Sequence, residues 1–266
     1  MTNKTRFLYM KVLIMLKCNF KKLKKENLEI RVCHCDFEEA LSSALLKCFP
    51  SSKIKFCFFH YGQILYRKIT STGADGLNIS NDFNNSKEAK KLFLMLKYLC
   101  FVEPKYVKII YTEILEKVHI EEFMLPFVEY FNMNFIEGRN IDTWNYCGMY
   151  TNRTNNCCEG YNTRLNGYFN SKPNIYKLLF KLKDEEELIY KNYIQSKYSF
   201  IHKYKKDDNH FVFINMMNIY NHIKNIFEVS GNDYNNLNDR ELKIYANMYY
   251  LSLNDICEQL ALDFDI

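Results

Sequence analysis

The stretch DFEEALSSALLKCFPSSKIKFCFFH, residues 36–60, decides the fold. Phe37, Leu41, Ala44, Leu45 and Cys48 recur at helical spacing, so residues following Asp36 form a helix with one apolar face. Pro50, Ser51 and Ser52 end it. Residues 54–59 (IKFCFF) are short and almost wholly apolar, the pattern of a strand buried in a parallel sheet. Upstream, residues 28–35 (LEIRVCHC) include β-branched residues and alternate at first, and so predict a strand. A further helix is expected over residues 60–69. Strand, helix and strand make one right-handed βαβ unit.

Working outward, residues 6–25 predict an amphipathic helix ending in KKLKK, with Leu8, Val12, Met15, Leu16, Phe20 and Leu23 on its inward face. Residues 71–85 read as a loop. Residues 87–100 are apolar nearly all round and predict a buried helix. Pro104 restarts a helix whose Val107, Ile110, Ile114 and Val118 share a face. Another follows, with Met124, Phe127, Val128, Phe131 and Phe135 inward. Residues 137–152 are irregular and hold the only tryptophan, Trp144. A helix over residues 153–170 carries Cys158, Tyr161, Leu165 and Tyr168 as its buried stripe. Beyond Pro173 lies another helix, in which DEEE (Asp184 to Glu187) reads as solvated. Helices are expected again over 211–227 and 241–262, and these are the candidates to cover the sheet.

The chain has 266 residues with a formal charge of +5, eight glycines and four prolines. Scarce turn formers favour long helices over a turn-dense β fold. The charge is below the level that by itself marks a nucleic-acid binder. Ten cysteines in a chain this long read as reduced intracellular thiols. No segment is long and clean enough to span a membrane.

Three groups of residues can carry chemistry. Asp36 stands at the end of a strand, with Glu39 three residues on. It can cap the following helix as half of a capping box, or bind metal at the carboxyl end of a sheet strand. Cys57 and His60 form Cys-x-x-His, a structural pair or half of a zinc site. Zinc would need two further ligands, and Cys33, His34 and Cys35 on the neighbouring strand are the nearest. Glu159 lies one turn into its helix, with Asn155, Asn162 and Asn166 on the same face. Arg153, Asn155 and Asn156, at that helix N-terminus, are the candidate DNA contacts, since backbone N–H groups there favour phosphate. No P-loop, dinucleotide-binding glycine loop or nucleophile elbow is present.

Taken in order, residues 36–69, the segment LMLKYLCFVEPKYV, the segment FVEYFNMNFI, Trp144, and RTNNCCEGYNTRLNGYFNSKPNIYKLLFKLKDEE resemble the Mutator-like element (MULE) transposases. The resemblance covers about residues 5–195. It implies an RNase H-like nuclease fold with three acidic residues, divalent Mg²⁺ or Mn²⁺, transposon-end DNA as partner, a nuclear location, and association with a full-length transposase or with itself. Asp36 falls on the second catalytic aspartate, Glu159 on the glutamate, and Cys57 and His60 on the Cys-x-x-His.

The chain departs from that pattern. No Asp or Glu precedes Glu26, so the first aspartate and three of five strands have no counterpart, and Asn162 stands where many members carry a histidine. The expected fold is an α/β remnant, predominantly helical: an incomplete RNase H-like core at residues 1–72 with two parallel strands, a helical insertion at 73–152, the glutamate helix and its successor at 153–195, and a helical tail at 196–266. The expected activity is that of a transposase domain fragment unable to cut DNA alone. The alternatives are a non-catalytic DNA- or transposase-binding remnant, and a small zinc domain built on Cys33, Cys35, Cys57 and His60. Loss of three strands would also leave one strand edge and one face of the first helix without cover.

Overall fold

The structure is a computed structural model, and it describes residues 5–149, 153–154, 156–169, 173–198, 208–229 and 237–262. The chain divides into two units: residues 1–155 with 211–266, and residues 156–210.

The first unit begins with α1 (Arg6–Lys24), β1 (Val32–Cys35), α2 (Glu39–Cys48), β2 (Lys53–Phe56) and α3 (Phe58–Thr70). β1 and β2 pair in parallel, with Val32 opposite Lys53 and Cys35 opposite Phe56. They are the only sheet among the described residues. The predicted βαβ unit is therefore present, but its strands are four residues each. Residues 28–31 lie before the ladder rather than in it. Residues 57–59 belong to the next helix, because Cys57 is already the N-cap of α3.

Three expectations fail here. Asp36 does not cap α2. The helix starts at Glu39, with Glu38 at the cap position and no capping side chain, which leaves Asp36 at the tip of β1. The face of α1 predicted to turn inward is open: Val12, Met15, Leu16 and Leu23 are exposed and no α1 residue is buried. α1 instead lays Met10 and Leu13 on the small core of β1, α2 and β2, and Lys17 donates to the Cys48 carbonyl at 2.7 Å. Helix periodicity locates apolar stripes, but the position of α2 selects which stripe is covered. The late helices do not cover the sheet; they join the larger core.

The larger core is helical. α4 (Ser80–Asn85), α5 (Lys87–Tyr98), α6 (Val107–Lys117), α7 (Leu125–Phe131) and the short α8 (Ile141–Trp144) follow one another, with a single π turn at Asn132–Ile136. α12 (Asp239–Leu262) packs against α5 and α6, and α11 (Asp208–Val229) adds Met216, Met217 and Ile223 to the same core. The inward residues predicted for 107–118 and 124–135 are all buried. Tyr61, Phe135 and Trp144 sit at its centre: the Tyr61 and Trp144 rings stack at 5.6 Å, and Trp144 Nε1 donates to the Phe135 carbonyl. Phe37 joins both cores, stacked on Phe56 at 4.3 Å and edge-on to Phe135.

The second unit holds α9 (Asn156–Gly167) and α10 (Ile175–Tyr198). Their side chains correct two expectations. In α9, Cys158 and Tyr168 are exposed rather than part of a buried stripe. In α10, Glu185 is not solvated: it is 2% exposed and ion-paired to Arg164 of α9. Four consecutive carboxylates spread around a helix, so one of them faces the neighbouring helix and takes a guanidinium partner.

Burial pushes the Cys35 and Cys147 thiols up to about 12, chiefly by desolvation. An unfolded chain would ionise these thiols from about pH 8.5 upward, while the folded chain keeps them protonated. Stability is therefore complete below that point and falls as pH rises through the window to about 12. Urea unfolding at pH 10.5 is expected to show a midpoint below that at pH 7.5, and Cys35→Ala is expected to shrink the difference.

Candidate functional site at the carboxyl ends of the two strands

Parallel strands present their carboxyl ends on the same side, where crossover loops leave a crevice. Asp36 directly follows β1, and His60 lies in the first turn of α3 directly after β2. His60 Nδ1 stands 3.2 Å from Asp36 Oδ1, with the imidazole 24% and the carboxylate 48% exposed. The Asp-led stretch and the Cys-x-x-His were read separately from the sequence; folding joins them through His60 rather than Cys57. Cys57 is fully buried at the strand–helix junction.

The platform beneath this pair is tied down by hydrogen bonds. Cys57 N–H donates to the Cys35 carbonyl at 2.9 Å and extends the ladder to the strand tips. Tyr146 Oη donates to the Phe56 carbonyl at 2.7 Å. Lys55 Nζ donates to the carbonyls of Asp142 and Asn145 at 2.6 and 2.7 Å. The buried Asn145 amide donates to the Val102 carbonyl at 2.6 Å. Residues 141–146, read from the sequence as an irregular link, thus clamp β2 to the helical core. No local pattern announces this clamp, because its partners lie 43 to 90 residues away.

The residues of the alternative zinc reading do not gather. Cys33 and Cys35 share one face of β1 and are buried in the small core. His34 occupies the alternate face, opposite Lys55 in register, where burial and then the Lys55 charge hold its imidazole below the ordinary range. Among the described residues these side chains form no common ligand set with Cys57 and His60.

Arg153 is described and stacks its guanidinium over the Phe101 ring at 5.9 Å. Its carbonyl accepts from Phe58 N–H at 2.9 Å, so the backbone leading toward α9 is fastened to the first turn of the helix that bears His60. Asn155 and the side chain of Asn156 lie outside the described residues. Glu159 is in the first turn of α9 and half-buried, and Asn162 is exposed one turn on.

No protein-family model, curated protein or solved structure matches the chain. No helix among the described residues is long and apolar enough to cross a membrane.

Proposed function

We propose that the chain is a MULE-type transposase domain fragment in which Asp36 and His60 hold one divalent cation. The fragment binds metal and DNA phosphate but does not cut DNA by itself. The observation that carries this reading is the Asp36–His60 contact at the carboxyl ends of adjacent parallel strands, the position where such folds assemble their chemistry. Glu159 is the further ligand that the family resemblance implies.

The donor set fits the cation. Carboxylate and imidazole donors with a half-exposed aspartate suit Mg²⁺ or Mn²⁺, which keep water in their remaining positions. A bound cation supplies Lewis-acid stabilisation of charge on phosphate oxygens. The protein's share is to orient the ligands: the extended ladder fixes the Asp36 backbone, and the first turn of α3 fixes His60. Without a third carboxylate the two-cation clamp of a strand-cutting enzyme is incomplete, so retention of DNA rather than cleavage is the expected behaviour.

Calorimetric titration of Mn²⁺ into the full chain tests the reading. One site per chain is expected, weakened by about tenfold or more in Asp36→Ala with circular dichroism unchanged, and no nicking of supercoiled DNA in Mg²⁺. Equal Mn²⁺ uptake by wild type and Asp36→Ala would sink the metal site. Nicking lost in Asp36→Ala would overturn the assignment as inactive.

A further inference from the structure

A cleft of about 340 Å³ opens in the first unit between the start of α2, the last residue of β2 and residues 133–143. Neither Asp36 nor His60 lines it. Small-molecule sites occupy about 300–1,000 Å³, so this one suits a small ligand. Phe37, Phe56 and Met133 give it an apolar side, and Arg139 gives it a held cation. The Arg139 guanidinium lies over the Phe37 and Phe135 rings at 5.6 and 5.4 Å, and Nη1 donates to the Asn134 carbonyl at 3.0 Å. The backbone is shaped to place it. The π turn at Asn132–Ile136 closes with Glu137 N–H on the Asn132 carbonyl at 2.9 Å, and such turns are frequent at functional sites. Gly138 then passes so close that a Cβ there would stand 2.3 Å from the Met133 carbonyl. A guanidinium fork fixed in this way matches a carboxylate with two parallel N–H donors.

The opposite wall carries one carboxylate. Glu39 is exposed and lines the same cleft, but it forms no ion pair with Arg139. Among the described residues neither of the two has a salt-bridge partner. A glutamate in the first turn of a helix suits the helix dipole, but that role needs no arginine across a cleft. The neutral groups divide in the same sense. Ser42 Oγ spends its proton on the Glu39 carbonyl at 3.1 Å and is left with lone pairs. Asn140 Oδ1 is taken by Asp142 N–H at 3.0 Å, which leaves the Asn140 amide N–H groups to give. The cleft thus has donors on its 139–140 side, acceptors on its α2 side, and formal charges that cancel. A phosphate dianion would meet Arg139 but be repelled by Glu39. A simple carboxylate would leave Glu39 unanswered, and a zwitterion answers both. We propose that the cleft binds a free α-amino acid with an apolar side chain. Its carboxylate meets Arg139 and Asn140, its ammonium meets Glu39 and Ser42, and its side chain lies on Phe37, Phe56 and Met133. The inference is independent of the metal site, and its test contains no divalent cation.

Calorimetric titration of L-leucine and of L-phenylalanine into the full chain in EDTA is expected to show one saturable site per chain. 3-Phenylpropionate lacks the ammonium and 2-phenylethylamine lacks the carboxylate; each should bind at least about tenfold more weakly than phenylalanine. Arg139→Gln should abolish binding, and Arg139→Lys, which keeps the charge but loses the fork, should weaken it. Glu39→Gln should weaken phenylalanine binding about tenfold without weakening that of 3-phenylpropionate. Because Glu39 is exposed, this variant keeps the fold and decides the matter even if the Arg139 variants unfold. No binding of either amino acid, 3-phenylpropionate bound as tightly as phenylalanine, inorganic phosphate bound more tightly than both amino acids, or a Glu39→Gln chain that binds like wild type would each overturn the proposal.

Discussion

Tyr61→Ala is expected to remove the folded state's cooperativity at room temperature. Tyr61 is fully buried, stacked on Trp144 and edge-on to Phe135 at 5.3 Å, and its hydroxyl donates to the Leu96 carbonyl at 3.1 Å. Truncating a buried ring of this size costs about 3–5 kcal/mol through lost transfer energy and the cavity left behind, and the Leu96 carbonyl loses its donor, about 1 kcal/mol more. A domain of this kind is stable by only about 5–15 kcal/mol in total, so the loss removes a large share. Trp144 reports the result directly, as the only tryptophan and a fully buried one. Its emission should shift to the red, and the urea transition should broaden or move to low denaturant. Tyr61→Phe keeps the ring and drops only the hydrogen bond, so about 1 kcal/mol is expected. Near-equal midpoints for the alanine variant and wild type would contradict the packing described for this cluster.

Lys55→Met should produce the second largest effect, and it should be local. The ammonium is partly buried, and burial lowers its pKa most, with Asp142 opposing and Lys53 adding to the drop. It nevertheless donates to two carbonyls of the segment that clamps β2 to the helical core. Hydrogen bonds from a charged donor contribute about 1.5–3 kcal/mol each when broken on one side only. The exposed approach to Asp142 puts the total nearer about 2–4 kcal/mol. Hydrogen exchange is the suitable measurement, because stability is not uniform across a structure. Residues 53–58 and 141–146 should lose protection, while α5 and α6 keep theirs. Uniform loss across the chain would show that the clamp is part of the global unfolding unit rather than a local tie.

The same clamp explains how the site is held. Asp36 and His60 directly follow two strands of four residues each, and a two-stranded sheet alone is marginal in water. What steadies it is helical cover: α1 and α2 on one side, the 141–146 segment on the other, and Phe37 bridging the two cores next to Asp36. The outer edge of β1 has no further strand among the described residues, and Val32 is 43% exposed there. α1 carries an open apolar stripe as well.

Much of this protein was determined by sequence alone. Local periodicity predicted the βαβ unit, the buried faces of residues 107–118 and 124–135, and the predominance of helix, because each depends on which residues recur within a few turns. The side on which the strand tips lie also followed, since strand direction in a βαβ unit dictates it. Tertiary structure alone decided the partner of Asp36, which is His60 and not the cap of α2. It also decided which stripe of α1 is covered, the pairing of Glu185 with Arg164, and the packing of α12 on α5 and α6. The physical reason is common to all four. Each is a choice among several side chains or faces of equal local merit, and it is settled by elements distant in sequence that compete to bury the same surface.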